Sequence, residues 1–413
     1  MSEVQARRAP LVLAVLLLAY IFNFLDRQIL GILAAPIKAS LSLTDAQFGA
    51  LGGTAFALLY AFLGIPLAMI ADRTSRTAVI AGSLAVWSAF TALCGTVTGF
   101  WQLFLYRVGV GVGEAGGVAP SYALIADYFP RARRARALAI FSLGIPIGLG
   151  GGSFIGAHLA TWFGWRAAFI IMGVLGVILA PILRLVVRDL PRPSAGEPTP
   201  LTRVFPIVAR KPAFWLLAFA ASASSLCGYG LALWTPSILM RSFNMDLIHA
   251  GNFLASLVVL GGCAGVFAGG WFADRLGKDR RWYAWLPAIA WLITAPTFVA
   301  GFFAPNLWVA WVLLLLPNAL NILWLGPIVT AVQHLVPQRM RATASASFLM
   351  INNLIGLGAG PWLIGRLSDA LKTTYGADAL RNAAVACCGF YFLAALLVLF
   401  AAGALRQDWV EDA

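Results

Sequence analysis

Charge is what this chain has least of. Asp, Glu, Lys and Arg together make up 11% of its 413 residues, against 61% hydrophobic, where a soluble domain carries about 25% charged residues. Too few polar groups remain to coat a water-soluble fold of this length, so the chain is read as membrane-integral. Acids are the scarcer sign, 16 against 29 bases, for a net charge of +13. Cysteine and histidine are sparse as well. Cys94, Cys227, Cys263, Cys387 and Cys388 all fall in apolar stretches without metal-ligand spacing, as buried small hydrophobes do. His158, His249 and His334 sit near the ends of apolar runs with no acid placed to form a catalytic pair, and no Walker loop occurs. A membrane-embedded lipid-modifying enzyme is the alternative from another class, and these gaps argue against it. No cofactor or metal site is expected.

What is present is a series of apolar windows. A spanning helix needs about 20 largely apolar residues, and twelve such windows begin near Pro10, Ala46, Thr77, Phe100, Ala135, Gly164, Pro212, Ile248, Arg281, Asn306, Arg341 and Arg381. With the N-terminus inside, the inner loops and tails collect 20 of the 29 bases, the outer segments six, and Arg27, Arg107 and Arg184 stay within spans. That asymmetry places both termini in the cytoplasm. The basic balance therefore reports topology and an attraction to anionic membrane lipids, not nucleic-acid binding. Arg7 and Arg8 before the first run imitate a targeting signal, but the run is long and contains Asp26, so an uncleaved first helix is expected.

The chain also repeats itself. "IADR" at 70–73 returns as "FADR" at 272–275, and "FPRARRARA" at 129–137 returns as "VPQRMRATA" at 336–344, which pairs Pro130 with Pro337, Arg134 with Arg341 and Ala137 with Ala344. Two six-helix halves, 1–189 and 212–413, are read as flanking a Pro-rich, charged linker at 190–211. Paired halves of this kind are the plan of alternating-access transporters.

The repeated stretches resemble a known family. "AMIADRTSR" (68–76) and "GGWFADRLGK" (269–278) are similar to the loop motif of the major facilitator superfamily, with Ser75 where that motif usually has Gly, and "RVGVGVGEA" (107–115) resembles its fourth-helix motif. "NFLDRQ" in helix 1, "YRVGVGVGEAGGVAPSYALIADYF" through helix 4 and "FSLGIPIGLGGG" in helix 5 resemble the spinster branch. The resemblance implies an all-α membrane fold of twelve helices in two pseudo-symmetric bundles. It also implies export of lysolipids or sphingolipids, with protons as the coupled ion.

Only Asp26 and Glu114 among the acids fall well inside predicted spans. An ionisable group at that depth costs several kcal/mol unless it meets a partner or water, which makes each a functional candidate. From the rise of about 1.5 Å per residue, Asp26 falls between Arg107 and Glu114 in depth. Arg107 and Glu114 are two helical turns apart and share one face, so Arg107 is expected to reach Asp26, or Glu114 when Asp26 is neutral. By the resemblance, the matching positions form the proton-linked site, and Asp26, Arg107 and Glu114 are assigned to it. A structural ion pair between helices 1 and 4 is the alternative. Arg27 points about 100° away from Asp26, so the two neighbours cannot face one partner. Gly111, Gly113 and Gly116 copy the dinucleotide fingerprint in form, but they continue a helical span where that motif needs a strand and a turn. Gly109, Gly113 and Gly117 recur every four residues and suit close helix packing.

Asp72 and Asp274 close the second span of each half beside Arg73 and Arg275. An acid there can sit on the N-terminus of a facing helix, and in the superfamily this motif latches the cytoplasmic side. Asp72, Arg73, Arg76, Arg134, Asp274, Arg275 and Arg341 are the expected gating residues. Helices 7 to 12 hold no charge in their interiors, so a substrate cavity would be charged on one wall and neutral on the other, which suits an amphiphile. Its expected contacts are Arg107, Glu114, Tyr229, Trp234, Asn321 and Asn352, with Ser224, Asn318, Trp324 and Asn353 as further lining. The same asymmetry also admits drug-like molecules or small organic anions. Short loops and the lack of an N-x-S/T acceptor point to a bacterial inner membrane, and a monomer is expected.

Overall fold

The computed structural model describes residues 3–190, 201–276 and 281–410, and among them every regular element is helical. Hydrocarbon offers no water to backbone N–H and C=O groups, so a crossing segment must satisfy them internally, as a helix does. Among the described residues nine helical segments are long and apolar enough to cross a membrane. Two of them, Arg136–Val186 with 51 residues and Gln338–Asp408 with 71, are far longer than one crossing needs. The chain divides into two compact units: Met1–Pro193 with Ala232–Val259, and Ser194–Leu231 with Leu260–Ala413.

The first unit contains α1 (Glu3–Ile32), α2 (Ala34–Leu41), α3 (Asp45–Gly52), α4 (Thr54–Arg73), α5 (Arg76–Cys94), α6 (Phe100–Glu114), α7 (Val118–Tyr128), α8 (Arg131–Ser142) and α9 (Gly144–Val186). A capping box starts α3: the Gln47 N–H donates to Thr44 Oγ1 at 3.1 Å and the Thr44 N–H donates to Gln47 Oε1 at 3.0 Å. Within α9 the chain turns at Gly164, whose φ of 84° is open to glycine and strained for other residues. The early part of α9 packs on α1, with Gly148 and Gly152 set against the carbonyls of Ile21 and Leu25. Residues 232–259 join this unit through Trp234, whose ring lies 5.5 Å from that of Phe48, and through Arg241. Arg241 Nη1 and Nη2 each donate to one oxygen of Asp45 at 2.8 Å, and Lys38 donates to the same carboxylate.

The second unit contains α10 (Leu201–Ala209), α11 (Pro212–Ser242) as far as Leu231, α12 (Leu247–Leu276) from Leu260, α13 (Trp282–Phe302), α14 (Leu307–Leu320), α15 (Leu325–Gln333), α16 (Arg341–Asn352), a π-helical turn Asn353–Leu357, α17 (Gly358–Tyr375), α18 (Ala379–Cys387) and α19 (Gly389–Asp408). Its C-terminal segment is tied down. Asp408 accepts the Ala213 N–H at 3.1 Å and its carbonyl takes Lys211 Nζ at 2.6 Å. Trp409 stacks on His334, centroids 4.3 Å apart, and on Tyr283 at 5.8 Å.

The sequence repeat is also a repeat of interruptions. In the first unit helix α6 starts at Phe100, stops at Glu114 and resumes as α7 at Val118; in the second, α14 starts at Leu307, stops at Leu320 and resumes as α15 at Leu325. Both starts and both restarts are separated by 207 residues, the spacing of Pro130 and Pro337.

Candidate functional site

The first interruption gathers Asp26, Arg107 and Glu114, three of the buried charges of the first unit. Helix α6 approaches its neighbours closely because its inner faces lack side chains: Gly111 lies against the Phe56 carbonyl of α4, and Gly113 against the Trp87 backbone of α5, where a Cβ would not fit. Gly109 meets the Phe90 ring and Gly117 the Trp87 ring, so the four-residue glycine spacing serves helix packing. The close approach leaves Glu114 with no exposed surface and Arg107 with 2%.

Arg27 and Asp26 go to different partners. Arg27 Nε donates to Glu114 Oε2 at 2.7 Å, and its guanidinium carbon lies over the rings of Phe24, Phe56 and Tyr60 at 5.1, 4.7 and 5.0 Å. Asp26, fully buried, accepts a hydrogen bond from Thr91 Oγ1 to Oδ2 at 3.2 Å. Arg107 lies within charge-interaction range of both carboxyls. Its Nε nevertheless donates to the Leu51 carbonyl at 3.4 Å, and its guanidinium sits over the Phe56 ring at 5.5 Å. The expected bond from Arg107 to Asp26 or Glu114 is therefore not formed in this arrangement, and Arg27 takes Glu114 instead. The reason is tertiary: Leu51 lies in the last turn of α3, just before the chain breaks at Gly53, where carbonyls lack intrahelical partners.

The site is incomplete in hydrogen bonds. Asp26 Oδ1, Glu114 Oε1, Arg107 Nη1, both polar atoms of Asn23 and Trp87 Nε1 are buried without a hydrogen bond of normal geometry among the described residues. Unpaired buried groups are rare in folded proteins and mark places for water, ions or ligands. Two acids and a guanidinium left with free positions form a cluster able to hold a proton or an anion.

The other expected residues are placed as follows. Arg76 bridges two acids, donating from Nη2 to Asp72 at 2.7 Å and from Nη1 to Asp127 at 2.6 Å. Asp127 was not foreseen, though "IAD" at 70–72 recurs at 125–127. Arg73 is exposed. Arg134 donates to the Ala126 carbonyl at 2.7 Å, Arg275 lies over Trp271 at 4.5 Å, and Arg341 Nη2 lies 3.5 Å from His334 Nδ1. The Asp274 side chain lies outside the described residues. A second acid missed by the sequence reading is Asp189, which receives the Thr77 N–H at 3.2 Å and the Ser75 hydroxyl at the start of α5. Of the expected substrate contacts, Trp234 is fully buried against Phe48, Tyr229 is half-buried, and Asn352 is buried with Oδ1 unpaired among the described residues. Asn321 is half-buried and accepts the Tyr391 hydroxyl at 3.2 Å.

With this geometry in place, comparison with known proteins gives consistent results. The sequence profile described as Major Facilitator Superfamily matches residues 16–361. An MFS-type efflux pump of Mycolicibacterium smegmatis is 35% identical over 412 residues, covering 98% of this chain and 96% of that protein. Human protein spinster homolog 1 is 27% identical over 394 residues, covering 89% and 74%. Among solved structures, a bacterial homolog of the human lysosomal transporter spinster, inward-facing and unoccupied, aligns over 100% of both chains at 30% identity with a TM-score of 0.86.

Proposed function

We propose that this chain, which belongs to the major facilitator superfamily, is a proton-coupled transporter that moves amphiphilic lipids of the lysolipid or sphingolipid kind by alternating access. Its similarity to spinster proteins in both sequence and structure supports a transporter and not an enzyme. It crosses a bacterial inner membrane twelve times: the two long segments cross twice each, and the broken helix α6–α7, too short in either piece to qualify alone, crosses once. Residues 1–189 and 212–413 form its halves, with 190–211 as linker. Both termini are cytoplasmic by the distribution of bases, and it acts as a monomer.

The observation that carries the reading is Asp26, fully buried, with one oxygen bonded by Thr91 and the other without a hydrogen bond of normal geometry among the described residues. A proton on Oδ1 removes a charge that hydrocarbon tolerates poorly. Its departure leaves a carboxylate to which Arg107, with Nη1 unbonded, is the adjacent guanidinium. An anionic headgroup competes for that same guanidinium, so headgroup and carboxylate alternate on it, and each transport cycle carries one proton. The Arg27–Glu114 pair fixes helix α1 to α6 at the level of this exchange. The cluster of Asp72, Arg76 and Asp127, with Arg73 and Arg134, is the gate of the first unit, and Asp274, Arg275 and Arg341 are the gating residues of the second.

Proteoliposomes with an imposed pH difference test the assignment. For one proton per substrate, one pH unit, about 1.4 kcal/mol, sustains about a tenfold concentration ratio of lysolipid. In Asp26→Asn that ratio collapses to unity while exchange down a substrate gradient continues. A variant that still concentrates lysolipid refutes proton coupling at Asp26. Export of small organic anions or drug-like molecules is the second reading, since the M. smegmatis relative is named an efflux pump without a stated cargo; binding of carboxylates in preference to lysolipids would select it.

A further inference from the structure

The 207-residue repeat sets Asn321 of the second unit in the place that Glu114 holds in the first. Glu114 ends α6, and Asn321 is the cap residue that ends α14; both precede a short non-helical step before the helix resumes. Leu314 stands where Arg107 stands, seven residues earlier, and is fully buried. The second unit thus repeats the backbone of the charged site with neutral side chains.

Asn321 is not simply filling that step. The Tyr391 hydroxyl, on α19 and fully buried, donates to Asn321 Oδ1 at 3.2 Å. In this arrangement Oδ1 lies on the hydroxyl, which leaves Nδ2 as the other end of the amide with two N–H donors. Nδ2 makes no hydrogen bond among the described residues. A Cβ built on Gly228 of α11 would stand 3.0 to 3.1 Å from the amide atoms, so the glycine leaves the amide the space it occupies. Unlike Tyr391, Asn321 keeps part of its surface open. A partly open amide donor at a helix interruption offers a hydrogen bond to an acceptor oxygen without bringing a charge of its own.

We infer that Asn321 is a specificity-determining residue of the transporter, donating from Nδ2 to a neutral acceptor such as the ester carbonyl of a lysolipid, and that Tyr391 is its positioning residue. The inference rests on the lipid reading above. It assigns the second interruption the recognition of an uncharged linkage.

Two probes separate the possibilities: 1-acyl lysophosphatidylcholine, which has the ester carbonyl, and its 1-O-alkyl ether analogue, which lacks it. Equilibrium binding to the purified full-length protein is measured for each. Asn321→Ala weakens binding of the ester about five- to tenfold, the value of one hydrogen bond to a partner otherwise left dry, and leaves the ether within about twofold. Tyr391→Phe removes a single oxygen, keeps the packing, and lowers the preference for ester over ether in the same direction. Equal loss on both probes in either variant, or no loss on the ester, overturns the role of Asn321 while leaving the lipid reading intact. Wild-type protein that binds neither probe overturns the lipid reading and this inference with it.

Discussion

The two interruptions share a backbone and differ in chemistry. At the first, Glu114 and Arg107 are buried beside Asp26; at the second, Asn321 and Leu314 hold the matching places. Among the described residues the buried acids and bases, Asp26, Asp45, Arg107 and Glu114, all lie in the first unit, whereas the buried polar residues of the second are serines, a threonine and an asparagine. A stopped helix frees carbonyls and N–H groups whatever the side chains, so the interruption is the common device and charge is added to one copy only. Buried charge is expensive. Under the proposed proton coupling, its confinement to one unit places the coupling there and leaves the other copy to neutral contacts.

The severest way to break the comparison is to make the first interruption as neutral as the second. Glu114→Gln removes the carboxylate to which Arg27 donates at 2.7 Å, and loss of one partner from a buried pair costs about 3–5 kcal/mol. The expected result is a clear fall in melting temperature together with loss of gradient-driven transport. Unchanged melting would mean that the pair contributes nothing to the fold. Asp45→Asn sharpens the comparison from another side, because Asp45 is the buried acid that lies away from the site. It holds Lys38 and Arg241, and the Arg241 side chain remains 29% exposed, so the expected loss is smaller, about 1–3 kcal/mol. Hydrogen exchange should quicken at residues 232–242 while the ratio of protons to substrate stays unchanged. A changed ratio would spread the coupling beyond the charged interruption.

Much of this was legible in the sequence. Apolar windows of about 20 residues pointed to the long helices, because a helix satisfies its own backbone in hydrocarbon. Partners were less legible. Arg27 reaches Glu114 across 87 residues of chain, and Arg107 turns to the Leu51 carbonyl, a group that every residue possesses and no side-chain pattern advertises. Trp234 looked like a cavity wall by composition, yet it is packed behind Phe48. Asn321 was one asparagine among several until the shared interruption matched it with Glu114. The offset of 207 residues was already visible in "FPRARRARA" and "VPQRMRATA", so the match with Glu114 was available before any coordinates. What the sequence lacked was the Tyr391 bond that gives the amide a direction.

The smallest effect tests the comparison in reverse, at a pair of helix starts where the second copy carries the charge. Thr44 caps α3 through the Gln47 N–H, and 202 residues later Asp246 caps α12 through the His249 N–H at 2.8 Å. The His249 N–H, and after it the His249 ring, hold the exposed Asp246 carboxyl below its usual value. A lowered folded-state value means that the stabilisation is fully present above the unfolded carboxylate range, near pH 4, and is lost as pH falls through the folded value. Thr44 does not titrate, so its cap persists. In an Asp45→Asn background, which removes the other carboxylate at these helix starts, hydrogen exchange at residues 247–250 should therefore quicken below about pH 4 while residues 45–48 stay constant. Asp246→Ser, which keeps a capping oxygen without a charge, should make the two helix starts respond alike. If the start of α12 still loosens on acidification in that variant, the carboxylate is not the titrating cap, and the two copies differ at this point in sequence but not in physics.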